Sequence, residues 1–128
     1  PSVEESLLNL AELAGQTQQF LQTQAGQLAE RALTVVRDDQ QQRVTIDLST
    51  LASVPPLLVR EMLVETWCQL AWPRQAMGMR QWNQLLEMIQ DETTPSSQTF
   101  PGNVRVVRDE KKSGGQLELT RRFEILEP

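Results

Sequence analysis

Histidine is absent from this 128-residue chain, and Cys68 is its only cysteine. A single cysteine excludes an internal disulfide framework. With no histidine beside it, a zinc site of the usual Cys/His kind is excluded as well. Long apolar runs are also lacking. No stretch of about 18 apolar residues occurs, and no apolar h-region opens the chain, so neither a membrane span nor a signal peptide is expected within it. The lone thiol in an apolar run fits a reducing compartment, and a cytoplasmic location is the expectation. The chain opens at Pro1 rather than at an initiator methionine, which leads to the further expectation that it is one piece of a longer polypeptide. Its length suits one small domain with a modest core, or such a domain plus an appended helix.

What is present is charge, unevenly spread. The formal net charge is −5, which argues against indiscriminate binding of polyanions. Residues 101–122 nevertheless carry Arg105, Arg108, Lys111, Lys112, Arg121 and Arg122 against only Asp109, Glu110 and Glu118. An acidic body therefore ends in a basic tail.

Hydrophobic spacing divides the chain into elements. From residue 3 to about 36 the positions Val3, Leu7, Leu10, Ala14, Thr17, Leu21, Gln24, Leu28, Arg31 and Val35 step by fours and threes. That spacing predicts one long helix, with Gly15 and Gly26 as the places where it could break into a hairpin. Such a helix is longer than a small core can cover, so part of its apolar stripe must pack on something else or on a second copy. "RDDQQQ" reads as a polar exit and "RVTIDLSTL" as a half-buried strand alternating Val44, Ile46 and Leu48 with polar residues. Ser53 is a candidate cap for the next helix, with Pro55 and Pro56 in its first turn. That helix runs from Leu57 to Leu70, burying Leu58, Met62, Leu63, Trp67 and Leu70, and Pro73 ends it. "MGMRQWNQLLEMIQ" predicts a second helix burying Met79, Trp82, Leu85, Leu86 and Ile89, and "DETTPSS" a loop. Pro101–Gly102 then make a turn. Val104 and Val106 point inward with Leu117 and Leu119, "DEKKSGG" closes a hairpin, and Arg105 stands opposite Glu118 on the outer face. The expected class is α+β: a long N-terminal helix, a short strand, a two-helix pair and a C-terminal β-hairpin. The division is residues 1–37 as a linker helix and 43–128 as a small α+β domain.

No catalytic site can be assembled from these residues. "SGG" at Ser113–Gly115 opens like a pyrophosphate loop, but a phosphate cradle must follow a strand and open a helix. Here a strand-like "QLELTRR" follows, so a turn is expected. Asp38–Asp39, Glu61/Glu65 and Asp91–Glu92 have no convergent partner and read as solvated acids. Cys68 reads as a buried structural thiol, and Trp67, Trp72 and Trp82 as core. Catalytic residues, metal ligands and cofactor-binding residues are expected to number none in this chain. The basic residues are more open. Arg60, Arg74 and Arg80 lie on or between the helices. If the hairpin packs on the helix pair, they and the tail can share a rim that grips phosphates without reading bases. Ordinary solubilising charge explains them as well.

At the tail the chain resembles a known family. The order of its elements is similar to the substrate-binding region of tRNA(Ile)-lysidine synthetase. There a catalytic domain ends in a long linker helix resembling "NLAELAGQTQQFLQTQAGQL". A strand similar to "VTIDLSTL" follows, then a helix similar to "VPPLLVREMLVETW". A closing segment resembles "FPGNVRVVRD…LELTRR". The likeness covers about residues 7–122, with the Pro-Gly-strand-Arg hairpin its most specific part. Arg60 matches a helix arginine of the family, Arg108 the arginine ending the first hairpin strand, and Gly102 the turn glycine. Glu65 and Thr66 stand where the family often has further basic residues.

The resemblance implies a non-catalytic tRNA-binding and positioning domain of an ATP-dependent ligase that modifies the wobble cytidine of tRNA-Ile to lysidine. ATP and Mg²⁺ would serve the parent enzyme's catalytic domain and not this chain. The expected partners are tRNA and that N-terminal catalytic domain, and the expected RNA contacts are Arg60, Arg105, Arg108, Lys111 and Lys112. The alternative is a helical protein-interaction module, a homo-oligomer through the long helix included, with no RNA role.

Overall fold

A 30-residue helix, α1 (Val3–Ala32), leads the computed structural model, which describes residues 2–91, 95–109 and 115–123. Ser2 starts it, its side chain accepting a hydrogen bond from the Glu5 amide at 3.2 Å. Glu4 and Glu5 sit in the first turn, where negative charge suits the exposed amides. The helix runs unbroken through Gly15 and Gly26 for about 45 Å at the usual rise per residue. Every residue from Val3 to Phe20 is exposed. The last third is buried at Ala25, Leu28 and Ala32, and ahead of it Gln18 Nε2 donates to Glu61 Oε1 at 2.9 Å.

The helix ends before Leu33, earlier than its apolar seam predicts. "LTVVR" becomes a strand instead, β1 (Leu33–Arg37). Three consecutive β-branched residues, Thr34, Val35 and Val36, lose rotamer freedom in a helix and fit a pleated surface. β1 turns directly into β2 (Gln41–Asp47), which it meets in an antiparallel register pairing Leu33 with Ile46 and Arg37 with Gln42. Asp38 shapes the turn, one carboxylate oxygen accepting from the amides of Gln40 and Gln41 at 2.7 and 2.8 Å. The polar exit of the sequence reading is thus a hairpin turn.

β2 stops at Asp47 because that side chain caps a single helical turn, α2 (Leu48–Leu51), accepting from the Ser49 amide. Leu48 therefore belongs to α2 and not to the strand. Next come α3 (Pro56–Gln69) and α4 (Met79–Gln90). Ser53 does not cap α3. Pro55 holds the cap position without a side-chain bond, and Pro56 fills the first turn. After α4 the chain forms β3 (Ser97–Phe100), β4 (Val104–Asp109) and β5 (Gln116–Arg122). β3 begins at Ser97, the last residue of the "DETTPSS" stretch expected as a loop, and continues through residues to which the sequence reading assigns no element. Its "SQTF" buries only Phe100, too little to announce a strand.

The strands form one five-stranded antiparallel sheet in the order β1-β2-β5-β4-β3. The class is α+β, as the sequence indicates, with the expected hairpin forming its β4–β5 pair. Ala25, Leu28 and Ala32 of α1, Met62, Leu63 and Trp67 of α3, and Leu85 and Met88 of α4 share one core with Val44, Ile46, Val104, Val106, Leu117 and Leu119 of the strands. The helices lie on one face of the sheet. β4 alternates, buried at Val104, Val106 and Arg108 and open at Arg105, and among the described residues no helix covers the other face. Trp67 is the hub of the helix layer. Its ring stands edge-on to Trp72 at 4.9 Å and to Trp82 at 5.1 Å, a geometry that aromatic quadrupoles favour. Trp72 Nε1 donates to Gln42 Oε1 of β2 at 2.8 Å, tying the end of α3 to the sheet. Met79, expected in the core, is 60% exposed, and Met77 is buried in its stead. Cys68, expected buried, is exposed.

Two backbone sites carry strain of opposite design. α3 closes in a Schellman arrangement, with Trp72 N–H bonded to Trp67 C=O and Ala71 N–H to Cys68 C=O. Ala71 takes φ +55°, a region in which alanine is disfavoured. Gly102, at φ +83°, is used as glycine allows, and a Cβ there would lie 2.5 Å from Pro73 Cγ. Gly102→Ala is expected to destabilise the fold by about 2–4 kcal/mol through backbone strain and the clash with a rigid ring. Ala71→Gly should raise stability by up to about 1 kcal/mol by relieving the left-handed alanine. Urea unfolding of both variants checks the pair, and equal effects of one sign would contradict this account.

Candidate nucleic-acid interface

The open face of the sheet is built by strand alternation. Residues out of phase with the buried Val44, Val106 and Leu119 must project away from the helices. Register then sets their neighbours: Arg43 of β2 pairs with Thr120 of β5, which pairs with Arg105 of β4, which pairs with Thr99 of β3. In the next row Gln41 stands beside Arg122. Together with Asn103 and Glu118 these residues border a shallow depression of about 440 Å³. Arg43 Nε lies 3.2 Å from Glu118 Oε1, with both side chains close to half exposed. An ion pair that wet contributes about 0–1 kcal/mol.

Arg105 is therefore exposed on the outer face, as expected. The expected cross-strand pairing of Arg105 with Glu118 is not formed. Arg105 faces Thr120, while Glu118 faces Val107 and takes its ion pair from Arg43. The register is offset by two residues from the one that the sequence suggests.

Arg60 lies elsewhere. It is on α3, half-buried, with Nη1 donating to Met79 Sδ at 3.3 Å. The helices and the outward side chains of β4 occupy opposite sides of the sheet, so Arg60 and Arg105 do not converge on one rim. Arg108 is a different kind of residue again. It is in phase with Val104 and Val106 and buried, 7% exposed, and its Nη1 donates to the carbonyls of Met88 at 2.8 Å and Asp91 at 2.7 Å. Those carbonyls end α4, where a cation complements both unbonded oxygens and the helix dipole. Its place in the sequence motif is thus explained by the fold. Lys111 and Lys112 lie outside the described residues. Arg121 also serves the fold, its Nε donating to the Gly102 carbonyl at 3.0 Å.

Arg43 is the arginine of this face that sequence reading did not name, and Arg122 was counted in the basic tail but not among the expected RNA contacts. Arg43 could have been noticed as out of phase with Val44 and Ile46. What made it part of a cluster is the β2–β5 pairing, which joins segments some seventy residues apart and leaves no local trace.

The rest of the surface offers little chemistry. A depression of about 990 Å³ lies among Leu48, Val54, Pro55, Ile89 and Arg108, with Ser53 as the hydroxyl among the described residues that line it. Arg74 Nη1 donates to Cys68 Sγ at 2.9 Å. Asp38 has its carboxyl held below the ordinary 3.8 by the Gln40 and Gln41 amides. Asp47 is likewise held low, chiefly by the Ser49 hydroxyl. Both are turn and cap residues. Among the described residues no group of three cysteine or acidic side chains is placed to hold a metal ion, and no helix is long and apolar enough to cross a membrane.

Arg108→Ala is expected to lower stability by about 2–4 kcal/mol, since charge-assisted hydrogen bonds to the buried Met88 carbonyl and the part-buried Asp91 carbonyl would be lost together. Arg105→Ala should stay within about 0.5 kcal/mol, as exposed positions do. Chemical denaturation distinguishes the two, and a silent Arg108→Ala would refute its structural assignment. Comparison of the chain with protein-family models, with curated proteins and with solved structures finds no match.

Proposed function

We propose that this chain is the tRNA-binding and positioning part of a tRNA(Ile)-lysidine synthetase. In this reading it holds the tRNA so that the wobble cytidine reaches an active site elsewhere in the polypeptide. That site would use ATP and Mg²⁺, and the location would be the cytoplasm. One observation carries the proposal. The segment "FPGNVRVVRD…LELTRR", where the resemblance is most specific, forms two paired strands with its Pro-Gly turn seated against Pro73 and an arginine-bearing row on the open face. A domain of this kind does no bond-making. It contributes by restricting the motion of a large substrate, a mode worth up to about 7–11 kcal/mol when orientation is tight.

α1 fits the same reading. Val3, Leu7, Leu8, Leu10, Leu13 and Phe20 are each 59% exposed or more, and the catalytic part of the enzyme would cover them. The reading is tested on the coding sequence ahead of Pro1, where an SGGxDS pyrophosphate loop leading into α1 is expected. A reading frame with no nucleotide-activating domain there would defeat it.

The bare apolar stripe also favours a second reading, a helix-mediated interaction module without an RNA role. Analytical ultracentrifugation of the chain over a hundredfold range of concentration separates the two. Under the second reading the mass rises with concentration and returns to that of a monomer in Leu10→Ser/Leu13→Ser. A strict monomer throughout counts against it.

A further inference from the structure

Three arginines that are far apart in sequence meet on the side of the sheet away from the described helices. Arg43 and Arg105 flank Thr120 from either side, so their Cα atoms stand two strand spacings apart, about 9.6 Å. Arg122 lies on the same strand as Thr120 and on the same face, in the row that includes Gln41. The depression among them has one acid, Glu118, and that acid is already engaged by Arg43. On its border Thr99 and Asn103 can each donate a hydrogen bond, while Thr120 Oγ1 donates to Glu118 Oε1 at 3.5 Å. Positive charge is thus concentrated at one end of this face, on a protein that is acidic as a whole, while at the other end Asp47 and Asp109 flank Gln116.

What this face lacks identifies its ligand. No outward position of the described strands carries an aromatic ring. Sheets that bind single-stranded RNA stack unpaired bases on aromatic side chains, and this sheet has nothing to stack them on. Duplex RNA asks for something else. Its bases are paired away, and it is recognised through shape, phosphates and ribose hydroxyls. Arginines on neighbouring strands of one sheet face, with hydroxyl and amide donors beside them, match that demand.

We propose that the open face of the sheet grips the phosphate backbone of duplex RNA through Arg43, Arg105 and Arg122, without reading sequence. The assignment rests on the tRNA reading above and locates the contact on a double-helical arm of the tRNA instead of its unpaired loop. Glu118 moderates the contact. It withholds Arg43 and repels phosphate, so the face is poised below its full affinity.

The experiment measures binding of the full chain to a labelled tRNA-Ile transcript, to a short RNA hairpin and to a single strand of equal length, over a series of salt concentrations. The variant Arg43→Gln/Arg105→Glu/Arg122→Glu should weaken binding to tRNA and hairpin at least about tenfold, and should lower the log–log salt slope by about 2–3, as loss of three phosphate contacts requires. Arg80→Glu, an exposed charge reversal on α4, should leave both unchanged. Glu118→Gln should tighten binding about two- to fivefold, the worth of a surface charge pair. A gain of affinity cannot come from misfolding, so this variant stands even if the triple variant is unstable. Wild-type binding that neither the triple variant nor Glu118→Gln alters would overturn the open face while leaving the tRNA reading intact. A single strand bound as tightly as the hairpin would overturn the duplex assignment. No binding of tRNA by the wild-type chain at low salt would remove both the face and the reading beneath it.

Discussion

The contact on which the rest of the fold depends is the indole of Trp67, fully buried and gripped edge-on by Trp72 and Trp82. Trp82 brings in α4. Trp72, placed by the left-handed turn at Ala71, reaches across to Gln42 and fastens the helix layer to β2. An acidic chain of this size has a limited core, and aromatic rings bury more surface per residue than any other side chain. Concentrating the three tryptophans at one junction lets two short helices and the end of α1 share a single sheet face. Arg108 completes the arrangement from the sheet side by bonding the last carbonyls of α4.

Much of this was readable from residue order, for reasons of period. α3, α4 and the strands of the tail repeat their buried positions at helical or alternating spacing, and those spacings survive in the structure as Met62, Trp82 and Leu85 on the helices and Val104, Val106, Leu117 and Leu119 on the strands. The errors fall where two tendencies compete. Val35 continues the helical seam of α1, yet it sits in a β-branched run that pairs with β2 and so joins the sheet. Ser97 to Phe100 has almost no apolar content, and only pairing with β4 makes it a strand.

The candidate interface was less legible than the fold. Charge can be counted along a sequence, but whether an arginine faces water or carbonyl oxygen is decided by phase. Arg105 and Arg108 are three residues apart on one strand, so they point to opposite faces. One is free to meet a ligand and the other is committed to the core. Arg43 belongs with Arg105 only because β5 lies between their strands. A basic tail read as one patch is therefore two populations with separate tasks, divided by the sheet that they belong to. The division also means that the outer rows can vary in charge with little effect on the tryptophan junction beneath them.

The uninterrupted passage of α1 through Gly15 and Gly26 has a geometric consequence of its own. Its bare half and its buried half share one continuous screw, so any surface seated on Val3 to Leu13 has its azimuth and distance set relative to the sheet. Adding a single residue between those halves would swing that surface by about 100° and displace it by about 1.5 Å, while four added residues would nearly restore its bearing one turn farther out. The helix thus acts as an angular gauge between whatever it anchors and the face that carries Arg105.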